Sequence, residues 1–310
     1  MPNWNEVLKE ISGLRSQAND ASRRAVDLVR HAYLGKLQAK TQRNVIAYYS
    51  GFLSKPGIAQ LELNDEDKNG FMMAVHKLDK SIGLDLILHT PGGNIAATQS
   101  IVNYLHKMFK RDVRAFVPQI AMSAGTMIAC SCKTILMTEH ANLGPIDPHL
   151  RGIPAYGAIA EFKKAYEEIK RDPSRLHVWQ PILGQYRPTF LGQCQHAITL
   201  SNQFVEEQLA SVMFEGEPRA KTKAAKITKA LADYQKNKAH DRHLHFEDCK
   251  KLGLKVERIE DDPDLQDLIL TVHHCYMHAL MNTASFKLIE NHLGVAFVKQ
   301  QIQVAVPAPG

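Results

Sequence analysis

The run LDLILH (84–89) constrains this chain more than any other stretch. It is short and nearly continuously apolar, a pattern suited to a strand buried on both faces, and strands of that kind belong to parallel sheets covered by helices. The flanking sequence repeats the theme. NVIAYYSGF (44–52) is β-branched and aromatic and reads as a strand, and NDEDKNGFMMAVHKL (64–78) reads as a helix with Asn64 as its N-cap. After the turn TPGGN come a helix over about 95–110, a strand at VRAFVP (113–118), a helix over about 123–131 and a strand at TILMT (134–138). Strand and helix alternate, which predicts an α/β fold with a parallel sheet and crossover helices.

The ends of the chain differ from this middle. Residues 4 to about 42 carry Leu8, Ile11 and Leu14, then Ala21, Ala25, Leu28 and Ala32, at helical spacing. This predicts a helical arm that either packs on the surface or docks on a neighbouring subunit. From about 151 to 235 the pattern is mostly helical, interrupted near WQPILGQYRP. FEDCKKLGL (246–254) predicts a short helix capped by Gly253, KVERI a final strand, and 263–302 a further helical region before a frayed tail. The expected organisation is a helical N-terminal arm (1–43), a core (44–262), and a C-terminal helical region with a tail (263–310).

Composition narrows the setting. Five cysteines at irregular spacing do not form a disulfide framework, so a reducing, cytoplasmic location is expected. The N-terminus lacks the order of a signal peptide, and no stretch approaches about 18 uninterrupted apolar residues, so no membrane span is predicted. The net charge of +6 is dispersed along the chain and gives no argument for a nucleic-acid partner, even at PRAKTKAAKITKALADYQKNK (218–238).

Four stretches carry candidate chemistry. In AMSAGTMIAC (121–130) a lone hydroxyl, Ser123, stands at a strand-to-helix junction beside the small residues Ala124 and Gly125. A nucleophile attacking a carbonyl needs an exposed oxygen with backbone donors waiting for the developing charge, although a serine at such a junction also serves as a plain cap. In LILHTPGGN (86–94) Gly92 and Gly93 follow a buried strand and allow close approach of a ligand, or simply a tight turn. In HANLGPIDPHL (140–150) prolines on either side fix Asp147, which is either a turn former or a carboxylate that orients a histidine. In the fourth, KAHDRHLHFEDCKKLGL (238–254), His240, His243 and His245 cluster; neither these nor His273, His274, Cys275 and His278 match a standard metal pattern, and neither a metal nor another cofactor is assigned.

Taken together, LDLILHTPGGN, VPQIAMSAGTMIAC and NLGPIDPHL resemble the serine dehydrogenase proteinase family, a relative of the Clp protease proteolytic subunit and of signal peptide peptidase A. The resemblance extends more loosely from Val45 to Leu293. It implies the crotonase-like spiral of repeated ββα units and a serine peptidase acting on peptide or protein substrates. It also implies a homo-oligomer. Residue by residue, Ser123 matches the nucleophile, and Gly92, Gly93 and the backbone N–H of Ala124 match the oxyanion region. The family order Ser, Asp, His is followed by Ser123, Asp147 and His240. Asp147 would then accept a hydrogen bond from one nitrogen of His240 while the other takes the proton of Ser123.

Other bases stay open. His149 lies two residues from Asp147, and Lys163 and Lys164 lie where signal peptide peptidase relatives carry the lysine of a Ser–Lys dyad. The chain departs from the membrane relatives in having no predicted anchor, and no motif marks a docking site for an ATPase. Two other classes also remain: an enzyme acting on acyl-coenzyme A thioesters, which the crotonase-like fold also binds, and a non-catalytic assembly or regulatory protein.

Overall fold

The computed structural model describes residues 4–17, 20–233 and 242–301. Its centre is a seven-stranded sheet. The parallel strands are β1 (Asn44–Ser50), β2 (Leu84–His89), β3 (Val113–Val117), β5 (Ile135–Met137) and β9 (Val256–Arg258), adjacent in that order. An antiparallel hairpin, β10 (Ser285–Asn291) and β11 (Ala296–Gln300), extends the sheet beyond β1.

Burial on both faces explains the lack of alternation in the strands. Ile46, Tyr48, Leu86, Leu88, Ala115, Val117 and Met137 point into one core, packed beneath α3 (Asp67–Val75), α4 (Ile95–Phe109) and α5 (Ala124–Cys130). Val45, Ala47, Tyr49, Ile87, Phe116 and Leu136 point into a second core, closed by α1 (Trp4–Arg15), α2 (Asp20–Thr41) and the helix Pro263–Asn282. The mixed α/β fold expected from the alternation is present, and its central strands and helices begin and end within a residue or two of the expected positions. Helix α3 is an exception. It begins at Asp67 rather than Asn64, whose side chain instead accepts from the Glu66 N–H at 3.1 Å.

Each crossover contains a short extended piece after its main strand. Leu63 bridges Gly93, Thr90 bridges Ala121, and β4 (Ile120–Ala121) pairs with β6 (Asn142–Leu143), which bridges Leu244. Main strand, short strand and helix thus recur. The short strands gather beyond the C-terminal ends of β1, β2, β3 and β5, the side of a parallel sheet where ligands bind.

Among the described residues, further elements are a small hairpin, β7 (His149–Leu150) with β8 (Ile153–Pro154), and the α-helices α6 (Ala155–Arg171), α7 (Leu176–Leu183), α8 (Phe190–Gln208), α9 (Ala220–Leu231) and α10 (Phe246–Leu252). The helix Pro263–Asn282 is α11.

The chain ends differ from the sequence expectation in one respect. The helical reading of 263–302 holds as far as Asn282; after it, β10 and β11 are strands. The polar residues of β10 hid its burial: Lys287, Glu290 and Asn291 are fully buried there. Glu290 accepts from Arg30 and pairs with His31, both on α2, and from the Tyr276 hydroxyl at 2.8 Å. Val7, Ile11, Val29, Leu34 and Leu37 seat α1 and α2 in the second core of the same chain. All five cysteines are buried and free. Among the described residues no helix is long and apolar enough to cross a membrane.

Candidate active site

The site is built from the loops that follow β2, β3 and β5. Ser123 follows β4 and precedes α5 with φ 49° and ψ −108°, a conformation that L-residues avoid at a cost of about 1–3 kcal/mol. Backbone bonds on either side hold it in place. Met122 N–H donates to the Thr90 carbonyl at 3.0 Å, Gly125 N–H to the Met122 carbonyl at 2.7 Å, and Met127 N–H to the Ser123 carbonyl at 3.0 Å. The Ser123 side chain caps nothing and lines an open cleft instead, so its hydroxyl is available to a substrate.

The glycine pair passes directly against this elbow. A Cβ on Gly92 would lie 2.8 Å from the Ser123 Cβ and 3.0 Å from the Met122 carbonyl, and φ of Gly92 is +107°. A Cβ on Gly93 would overlap the backbone of Leu63. Only glycine permits both approaches. Leu63 N–H donates to the Gly92 carbonyl at 2.7 Å, and Asn94 N–H donates to the Leu63 carbonyl at 2.8 Å. Among the described residues the N–H groups of Gly93 and Ala124 donate to no other protein group. Acyl transfer draws on uncommitted backbone donors of this kind near the attacking hydroxyl.

The third wall comes from the loop after β6. Gly144 N–H donates to the Thr126 hydroxyl oxygen at 2.9 Å, and that hydroxyl donates to the Ala121 carbonyl at 2.9 Å, which ties the loop to the elbow. Further along, Ile146 N–H donates to the Leu231 carbonyl and Ser201 Oγ donates to the Ile146 carbonyl. Asp147 is 2% exposed. Its Oδ2 lies 3.4 Å from Nε2 of His149, and His149 lines the same cleft as Ser123.

The cleft has a volume of about 880 Å³. Leu63, Met127, Leu150 and Leu200 give it apolar surface, and Gln60, Glu62 and Asn64 form a polar rim. Met127 stands one helical turn after Ser123 and shares its face.

Of the residues singled out in the sequence, the structure gathers Ser123, Gly93, Gly92, Ala124, Asp147 and His149 around this cleft. The lysines are elsewhere. Lys163 lines a separate cleft with Tyr156, Asn202 and Asp233, and Lys164 is 67% exposed, 3.9 Å from Glu168. His240 lies outside the described residues. The segment Gln60–Asn64 carried no catalytic signal in the sequence, because its role depends on a bridge to Gly93 that no local pattern encodes. Among the described residues no group of three His, Cys, Asp or Glu side chains is arranged to hold a metal ion. Instead, Trp4 packs against His274 and His278, and His245 precedes α10 with its N–H on Asp248.

The sequence model of the ClpP-like SDH-type serine proteinases matches residues 17–289, most of the chain and every element of the site. The chain belongs to this family. Among curated proteins it is similar to two from Methanocaldococcus jannaschii, uncharacterized proteins MJ0137 and MJ1495. The first is 31% identical over 194 residues, covering 62% of this chain and 59% of the relative. The second is 28% identical over 191 residues, covering 62% and 58%. The chain therefore matches about three fifths of the length of each.

Proposed function

We propose that this chain hydrolyses peptide bonds through an acyl-enzyme on Ser123, with His149 as general base and Asp147 orienting its ring. The observation that carries this reading is the cleft shared by Ser123 and His149, with the Asp147 carboxylate 3.4 Å from the imidazole. It replaces His240 by His149 in the triad.

The steps follow from these positions. His149 takes the proton of Ser123 as Oγ bonds to the carbonyl carbon of the substrate. The oxyanion that forms is held by the N–H groups of Gly93 and Ala124. The C–N bond then breaks, and His149 returns the proton to the departing amine. Water attacks the resulting ester with His149 again accepting a proton, which then goes back to Ser123 Oγ as the acid leaves. An extended, flexible segment of a polypeptide fits the open cleft, with its backbone beside Gly92 and Gly93. The reading includes assembly into a homo-oligomer, which light scattering of the purified chain tests.

Hydrolysis of unstructured protein and quenched-fluorescence peptides by the parent chain and by Ser123→Ala tests the activity. The parent is expected to cleave and to be acylated by a fluorophosphonate. The variant is expected to lose cleavage by about 10³-fold or more and to lose the label entirely. Equal cleavage by the two chains would contradict the assignment.

A further inference from the structure

One buried ion pair lies beneath the cleft rim and outside the machinery described above. Lys287 of β10 and Asp67 at the start of α3 are both fully buried. Lys287 Nζ donates to Asp67 Oδ1 at 3.0 Å and Oδ2 at 2.9 Å, and its remaining proton goes to the Glu62 carbonyl at 2.8 Å. Asp67 Oδ2 accepts from the Tyr48 hydroxyl at 2.9 Å and from the Asn64 N–H at 3.0 Å. The pair therefore grips the backbone on both sides of Leu63.

Leu63 in turn holds the glycines. Its N–H and carbonyl bond to the Gly92 carbonyl and the Asn94 N–H, and Gly93 lies between these two contacts. The connection from the buried charges to the oxyanion loop is thus a chain of four backbone bonds: two at residues 62 and 64, and two at residue 63.

We propose that Lys287 and Asp67 are positioning residues, which fix the Gly92–Gly93 loop against Ser123 through the segment Glu62–Asn64. The inference rests on the peptidase reading of the cleft. A buried ion pair is a poor source of stability, since well-packed apolar residues of similar volume often replace one at no loss. What apolar residues cannot replace is the pair of bonds to the Glu62 carbonyl and the Asn64 N–H. Glu62 is exposed and Asn64 is half-buried, so water can satisfy the freed backbone groups, and the segment gains freedom without unfolding.

The test is the triple variant Tyr48→Phe, Asp67→Leu, Lys287→Met, which removes the two charges and the hydroxyl that depends on them. It is expected to keep the parent's circular dichroism and cooperative melting while kcat falls on the order of 10- to 100-fold. KM should stay within about threefold, because the oxyanion contact is made in the transition state rather than on substrate binding. Amide exchange at Leu63 and Asn94 should quicken in the same protein. A folded triple variant with the parent's kcat would overturn the positioning role and leave the peptidase reading standing. A parent without Ser123-dependent cleavage would overturn both.

If the triple variant does not fold, Asp67→Asn with Lys287→Met carries the test. It keeps an acceptor for Tyr48 and Asn64 and loses only the tether to Glu62. Its kcat is expected to fall several-fold. Unchanged kcat in this protein, or failure of both variants to fold, would overturn the proposal, the latter by making the pair an element of stability.

Discussion

Ser123 combines a strained backbone with a side chain that faces the cleft. Its positive φ is enforced by backbone bonds from Met122, Gly125 and Met127, and its hydroxyl is left uncommitted to the helix it precedes. Gly92 shows how little room surrounds it. In Gly92→Ala the new methyl would press on the Ser123 Cβ and the Met122 carbonyl, in a backbone region that alanine avoids. Activity on peptides is expected to fall by about 10²-fold, with a stability loss of about 1–3 kcal/mol by urea unfolding. Parental activity in that variant would show that the glycine is not needed at the elbow. The elbow and the glycine turn were legible in the sequence because each is a local signal, a small residue beside a strand end. The base stays open there among His240, His149, Lys163 and Lys164. His240 lies outside the described residues, and the loop after β6, which returns to the elbow through Gly144 and Thr126, brings His149 beside Asp147 by a path that side-chain identity alone does not encode.

Strands β1 and β2 end in a buried aromatic and histidine layer on the face opposite α4. Tyr49 stacks on His89 and Tyr276, and its hydroxyl lies 3.3 Å from Nδ1 of His273. Burial pushes His89 down to about 4. Burial, followed by the proximity of His89, His274 and His140, holds His273 well below the ordinary imidazole value. Both rings are therefore neutral in the folded protein near pH 7. In the unfolded chain they take up protons near pH 6.5, so the stabilisation is complete above that pH and is lost as pH falls towards about 4. His89 alone accounts for about 3 kcal/mol of this change. Urea midpoints measured from pH 7.5 to 4.5 are expected to decline steadily below pH 6.5, and a flat profile would contradict neutral burial. The hairpin β10–β11 was hidden from the sequence for a related reason. SFKLIEN looks half-polar, yet every residue of it is buried, because Lys287 and Glu290 find charged partners on α3 and α2. Apolar pattern reading succeeds for β1, β2, β3 and β5, and fails where burial is satisfied by ion pairs.

The helices of the arm pack directly on the sheet of the core. α1 and α2 close the second core, and Arg30 meets the buried carboxylate of Glu290 on β10, one strand in from the edge of the sheet. Arg30→Ala would leave that carboxylate with His31 and Tyr276 as its remaining partners. The expected loss is about 3–5 kcal/mol. Circular dichroism and tryptophan fluorescence, which here samples Trp4 of the arm and Trp179 of α7, should report a single shared transition. Separate melting of the arm would contradict this packing. The α/β architecture and family were readable from three motifs in order. The joining of both chain ends to one sheet was not, because those contacts span most of the sequence.

Ser123 and His149 line one cleft, and the carboxylate of Asp147 lies 3.4 Å from the His149 ring. The rate at which a fluorophosphonate acylates Ser123, measured for the parent, His149→Ala and His240→Ala at pH 7.5, tests the proposed triad most directly. The predicted result is a fall of about 10²–10⁴-fold for His149→Ala and a rate close to the parent for His240→Ala. The reverse order, with His149→Ala labelled as fast as the parent and His240→Ala inert, would contradict it.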